Sequence, residues 1–178
     1  GTDFACLVVG ATTPMHEATS PSTNVGDIVC WGVGTYGQLG TGSSSGYGIS
    51  NDIHYHGNSQ PINFNGTSMS DVESSMDHSC AISNSGEVYC WGMGSYGRLG
   101  YGNTNNLGDS SNELPFLDAV DLEGSAKLLS LTQSSSCVVM TDNEVYCWGD
   151  GGYGMTGHEN TDDIGDQTNE MGVNLAPT

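Results

Sequence analysis

An all-β fold assembled from three copies of one unit is what this 178-residue chain predicts, on three observations. One phrase recurs: Cys30-Trp31-Gly32-Val33-Gly34-Thr35-Tyr36-Gly37-Gln38-Leu39-Gly40, then Cys90-Trp91-Gly92-Met93-Gly94-Ser95-Tyr96-Gly97-Arg98-Leu99-Gly100, then Cys147-Trp148-Gly149-Asp150-Gly151-Gly152-Tyr153-Gly154-Met155-Thr156-Gly157. The copies start 60 and 57 residues apart, a period that marks a repeat architecture. Ahead of each phrase lies a short apolar run carrying another cysteine, Cys6, Cys80 or Cys137. No segment sustains a 3.6-residue apolar periodicity long enough to form a helix, whereas short runs punctuated by glycine turns recur throughout.

The elements follow in chain order. Phe4–Val9 reads as a strand, and its partner ends in Cys30-Trp31. Between them residues 10–26, rich in Thr, Ser, Pro and Gly, read as an exposed loop, a swollen form of the turn seen in the later copies. In those copies Asn84-Ser85-Gly86-Glu87 and Thr141-Asp142-Asn143-Glu144 sit between β-branched runs, which is a hairpin signature. The equal spacing of Cys80/Cys90 and Cys137/Cys147 places each pair opposite on such a hairpin, within disulfide range. Six cysteines allow 15 connectivities. Only Cys6–Cys30, Cys80–Cys90 and Cys137–Cys147 treats every repeat alike. Each closure contributes on the order of 2 to 3 kcal/mol in the chain-entropy account.

Downstream of each phrase a second shared segment aligns without gaps: Asn51-Asp52-Ile53 to Pro61, Asn105-Asn106-Leu107-Gly108-Asp109 to Pro115, and Asp162-Asp163-Ile164-Gly165-Asp166 to Gly172. The first copy is preceded by extra residues within 41–50. Strand-like stretches follow at Ile62–Phe64 and Ala119–Leu122, each ahead of a glycine, and further strands are expected around Met69–Ser74 and Lys127–Leu131. The repeats divide as residues 1–61, with insertions at 10–26 and 41–50, then 62–119 and 120–178.

The phrase Cys-Trp-Gly-x-Gly-x-Tyr-Gly-x-Leu-Gly, the cysteine-bearing strand before it and the acidic Gly-Asp loop after it resemble the regulator-of-chromosome-condensation repeat, in the disulfide-bearing form of secreted microbial proteins. The resemblance covers nearly the whole chain. It implies one four-stranded propeller blade per repeat, seven blades usually closing a ring. Three repeats fall short of the four to eight blades propellers typically need. The chain opens just before the Cys6 strand and closes at Leu175–Thr178, inside a repeat at both ends. Unpaired edges there are expected to be completed by identical subunits or by the remainder of a longer polypeptide.

Composition narrows the partners. Asp and Glu total 21 against two basic residues, Arg98 and Lys127, for a formal charge of −19. Nucleic-acid affinity rests on Lys and Arg neutralising phosphates, so neither DNA, RNA nor an anionic membrane is a fitting partner. Cations and basic surfaces are. Cysteines in equivalent paired positions argue for an oxidising, extracellular setting, and no Cys-x-x-Cys zinc spacing occurs. No stretch reaches bilayer length. Asn65-Gly66-Thr67 is a glycosylation sequon.

The recurring residues have structural roles as their first reading. Trp31, Trp91 and Trp148 are expected to fill space between blades, each indole N–H finding a carbonyl. Tyr36, Tyr96 and Tyr153 are expected to pack alike nearer the surface, an aromatic ligand platform being the alternative. Two clusters have chemical alternatives. His54 and His56, two apart on one strand face with Asp52 nearby, could ligate a metal, against an exposed loop as the plainer reading. Asp109 and Glu113, with Asp162, Asp163, Asp166 and Glu170 in the next repeat, offer hard oxygens suited to calcium, against turn formation. No Gly-x-Ser-x-Gly elbow, phosphate loop or HExxH helix is present, and His78 beside Ser79 makes no triad, so no enzymatic activity is expected. The expected role is an extracellular structural or interaction protein, self-assembling through strand completion into a filament or ring. The alternative is part of a larger binding propeller whose loops recognise a protein or glycan.

Overall fold

The computed structural model describes residues 3–10, 24–46 and 61–178. His54, His56 and Asp52, most of the 10–26 loop and the end of the 41–50 insertion lie outside these residues. Among the described residues eight strands form three antiparallel sheets in succession. The first pairs β1 (Phe4–Val8) with β2 (Ile28–Gly32). The second runs β3 (Met69–Ser74), β4 (His78–Ser83), β5 (Val88–Gly92). The third repeats that order with β6 (Ala126–Leu131), β7 (Ser135–Met140), β8 (Val145–Gly149).

Each cysteine pair faces across a hairpin in register, Cys6 with Cys30, Cys80 with Cys90 and Cys137 with Cys147. Disulfides close all three, with Cα atoms 4.1 Å apart in each. Direct opposition in the same register is what brings paired side chains of an antiparallel ladder together. The turns between these strands use the residues the sequence marked: Gly86 and Asn143 both take positive φ.

Among the described residues no sheet reaches four strands. In the second and third sheets the fourth strand position shrinks to a single bridge, Leu107 with Gly92 and Ile164 with Gly149. The stretches 62–64 and 119–122, expected as strands, are extended connectors instead. Each offers one backbone bond to a sheet edge, Ile62 N–H to Ile28 and Val120 N–H to Val88, both 2.8 Å. Their apolar side chains explain the choice: Ile62, Phe64 and Val120 are buried, so these segments fill the gap between sheets rather than extend a ladder.

The core lies between sheets. Strand alternation sends successive side chains to opposite faces, and the second sheet is apolar on both. Ala81, Tyr89 and Trp91 join Phe4, Ile28, Cys30 and Leu39 in one cluster against the first sheet. Cys80, Ile82, Val88 and Cys90 join Val138, Met140 and Trp148 in another against the third. The sheets therefore pack face to face in a row, as propeller blades do.

Candidate interaction surface at the repeat junctions

Two junctions, between the first and second repeats and between the second and third, are built on one plan. The tryptophan of the later repeat enters the phrase of the earlier one. Trp91 is fully buried and its indole N–H donates to the Gln38 carbonyl at 2.9 Å; Trp148 is equally buried and donates to the Arg98 carbonyl at 3.0 Å. Phe64 stands edge-on to Trp91, ring centres 5.3 Å apart. Glycine is obligatory where the phrase meets the later repeat's acidic loop. Gly37 and Gly97 take φ of 82° and 70°, and a Cβ on either would overlap the backbone of Asp109 or Asp166. Gly42 N–H also donates to the Gly108 carbonyl, 3.0 Å away.

The second junction adds a polar network. His78, wholly buried, has Nδ1 2.8 Å from Ser75 Oγ and Nε2 3.0 Å from Ser136 Oγ. Ser136 Oγ itself donates to the Arg98 carbonyl, so the imidazole donates from Nε2 and accepts at Nδ1. This satisfies a neutral ring on both sides. Burial, and then the Arg98 charge, pull its pKa from 6.5 down to about 3. Arg98 is only 3% exposed; its Nε donates to Ser95 O and its Nη1 to Gln133 O, both at 2.9 Å. The sequence reading missed this pair. The available signal was Arg98 itself, one of two basic residues in the chain, standing where the first phrase has Gln38.

The tyrosines correct the expectation. Tyr153 lies wholly in solvent, Tyr96 is about half exposed and Tyr36 is half-buried. Tyr96 and Tyr153 hold φ of 62° and 59°, a left-handed kink within a short 3-10 turn that swings the ring off the core. Arg98 Cζ lies 5.6 Å from the Tyr96 ring centre. Trp31, in the first repeat, is half-buried where its two counterparts are fully buried.

The acidic loops are turn clips rather than a calcium cage. Glu113 accepts from the N–H groups of Gly108 and Ser110 at 2.8 and 3.0 Å, and Glu170 repeats the pattern with Gly165 and Gln167 at the same distances. Asp163 accepts from Gly151 N–H at 3.0 Å, and Asp109 accepts from the Ser110 hydroxyl at 3.2 Å. Asp162 is exposed, and Asp166 keeps a buried Oδ1 without a hydrogen-bond partner. Among the described residues no three His, Cys, Asp or Glu side chains converge as a metal site. Glu113, Asp163 and Glu170 turn inward because backbone N–H groups freed by the tight loops need acceptors. Asn65 is exposed on a turn closed by Thr67 N–H to Phe64 O.

At each junction the phrase and the acidic loop also leave a groove. The first, about 230 Å³, is neutral, with Thr41, Asn63, Ser110, Ser111 and Asn112 on its walls. The second, about 480 Å³, carries Asp121 and Glu123 beside Met171 and Val173. Among the described residues no helix is long and apolar enough to cross a membrane.

Comparison with known proteins gives the repeat its family. Two family models described as Regulator of chromosome condensation (RCC1) repeat match residues 70–98 with 129–154, and residues 85–121. The human E3 ubiquitin-protein ligase HERC2 is 34% identical over 135 residues, 75% of this chain but 2% of that protein. The Arabidopsis thaliana ultraviolet-B receptor UVR8 is 40% identical over 84 residues, 46% of this chain and 17% of the receptor. Among solved structures, human WBSCR16 superposes with a TM-score of 0.57 at 20% identity, covering 78% of this chain and 33% of its own. Prp20p from Saccharomyces cerevisiae gives 0.56 at 18% identity, with the same coverage. The chain thus spans about a third of the propellers it superposes on and a far smaller part of HERC2. Repeated phrase, in-register hairpins and inter-sheet tryptophans agree with these matches, and the chain belongs to the regulator of chromosome condensation (RCC1) repeat family.

Proposed function

We propose that the chain is an extracellular structural and interaction protein that assembles with copies of itself, end to end, into a filament or ring. One observation carries this reading: among the described residues the sheets stack in a row with cores between successive sheets, while Ala5, Leu7 and Val29 of the first sheet and Val139 and Val145 of the third join neither core and stay at least partly exposed. Unpaired sheet edges recruit further strands, and partly exposed apolar faces favour the docking of a further sheet. A head-to-tail contact that does not close gives a filament; one that closes gives a ring. Protein binding is a property of the fold's relatives, since Prp20p is described with its binding to Gsp1p and histones, and in complex with Kap60. Three disulfides in equivalent positions support the oxidising location.

Electron microscopy of the purified chain in low and high salt tests the proposal. Rings or filaments persisting in high salt are the expected result, because apolar burial and main-chain hydrogen bonds are little screened. A dispersed, folded monomer in both conditions would return the protein to the second reading, a segment of a larger binding propeller. The paired junction grooves favour that alternative, because equivalent sites on successive repeats suit an elongated protein or glycan ligand.

A further inference from the structure

The two junction grooves occupy equivalent places and differ in charge. Ile62 and Val120 each donate a backbone N–H to the first residue of a cysteine strand, Ile28 and Val88, so the residues that follow them, Asn63 and Asp121, hold matching positions, one in each groove. Two positions on, Asn65 is answered by Glu123, which lines the second groove beside Asp121. Amides thus stand where the second groove has carboxylates. Asp121 and Glu123 are exposed, and unlike Glu113 and Glu170 neither accepts a hydrogen bond from a described residue. Gly172 makes room for Asp121: its N–H donates to the Asp121 carbonyl at 2.9 Å, its φ is 63°, and a Cβ there would overlap the Asp121 carboxylate. Ala119, Met171 and Val173 give this groove of about 480 Å³ an apolar wall, Val173 being 79% exposed. Its lining holds no basic side chain.

We propose that the second groove docks a basic segment of a different protein, an arginine or lysine laying its aliphatic stem along Met171 and Val173 and its cationic head against Asp121 and Glu123. Long cationic side chains bury their stems on apolar surface while the head stays among polar groups, and a guanidinium matches carboxylate geometry. Charge complementarity identifies the occupant. Two uncommitted carboxylates beside an apolar wall suit a side chain that is both apolar and cationic, and a chain of formal charge −19 draws basic partners towards it. A second copy does not fit, because its basic side chains are Arg98, 3% exposed, and the single Lys127, so it has no basic segment to offer. This occupant presumes that the junction grooves are binding surfaces, and it does not depend on self-assembly.

Calorimetric titration of the 178-residue chain at physiological salt, with an end-blocked pentapeptide of alternating glycine and arginine, tests the site. Saturable binding is expected, with the citrulline form of the peptide, which keeps the length and loses the charge, at least about tenfold weaker. Asp121→Asn with Glu123→Gln gives the second groove amides like those of the first and should weaken the arginine peptide about tenfold, two charge pairs being lost. Asp3→Asn with Glu159→Gln removes the same charge from exposed positions outside the groove and should change binding by no more than about twofold, because salt screens distant charges. Melting temperatures should stay as they are; if Asp121→Asn lowers its own, Glu123→Gln decides alone, with a loss of about threefold. Equal weakening in the two double variants would mean attraction to overall charge and overturns the site. Equal binding of the citrulline peptide, undiminished binding after the groove substitutions, or no binding of the arginine peptide overturns it too. None of these results bears on self-assembly, which microscopy decides by itself.

Discussion

His78 shows what a single buried polar residue does in this architecture. It occupies the position held by Phe4 in the first repeat and Ser135 in the third, each opposite the glycine that closes the cysteine strand. Its two serine partners satisfy the neutral ring alone, and burial beside Arg98 opposes the cation. The unfolded chain therefore binds a proton near pH 6.5 that the folded chain refuses until about pH 3. Stability from this group is complete above the unfolded value and falls as the pH drops between the two, by up to about 1 kcal/mol per pH unit. Replacing the ring with an amide of similar reach, His78→Gln, should flatten the decline of melting temperature across that window. Parallel curves for the two proteins would show that His78 does not govern it.

At the scale of the element, hairpin and loop are held by different means. Each hairpin is pinned by a disulfide facing an inter-sheet core or the uncovered face, which leaves its ladder short without leaving it loose. The acidic loops have neither ladder nor disulfide, so one carboxylate gathers two N–H groups in each. Glu170→Ala should lower stability by about 2 kcal/mol, since charged hydrogen bonds are lost and their donors left unpaired. Glu170→Gln should recover part of it. Melting temperature should be the same in calcium and in chelator, because Glu113, Asp163 and Glu170 already accept from backbone N–H groups. A rise in melting temperature with calcium, reversed by chelation, would restore the metal reading of Asp162, Asp166 and Glu170.

For the whole molecule charge decides what the surface can meet. Only one basic residue is offered to a polyanion: Arg98 is buried in a junction, while Lys127 is exposed and donates to Asn143 Oδ1 at 2.5 Å. With 21 acidic residues around them, the chain should pass through DNA or heparin resin without retention at physiological salt. Retention that salt elutes would mean a basic surface exists that the sequence does not contain. The family's chromatin-related name is thus no guide to this member's partners.

The amino-acid sequence by itself determined the local unit. Cysteine spacing with a polar turn between β-branched runs is enough to set a hairpin register, because that register depends only on residues a few positions apart. Repetition of the phrase identified the family for the same reason. Which tyrosines leave the core, where His78 and Arg98 meet Ser136, and why the acidic side chains turn inward were decided only in three dimensions. Those contacts join residues from successive repeats, as His78 and Ser136 do at 58 positions' separation, and a face becomes buried or stays open according to which sheet is stacked on it. Tyr96 and Tyr153 occupy the same place in one phrase, yet one is half covered and the other bare, Arg98 lying against the Tyr96 ring where the third phrase has Met155.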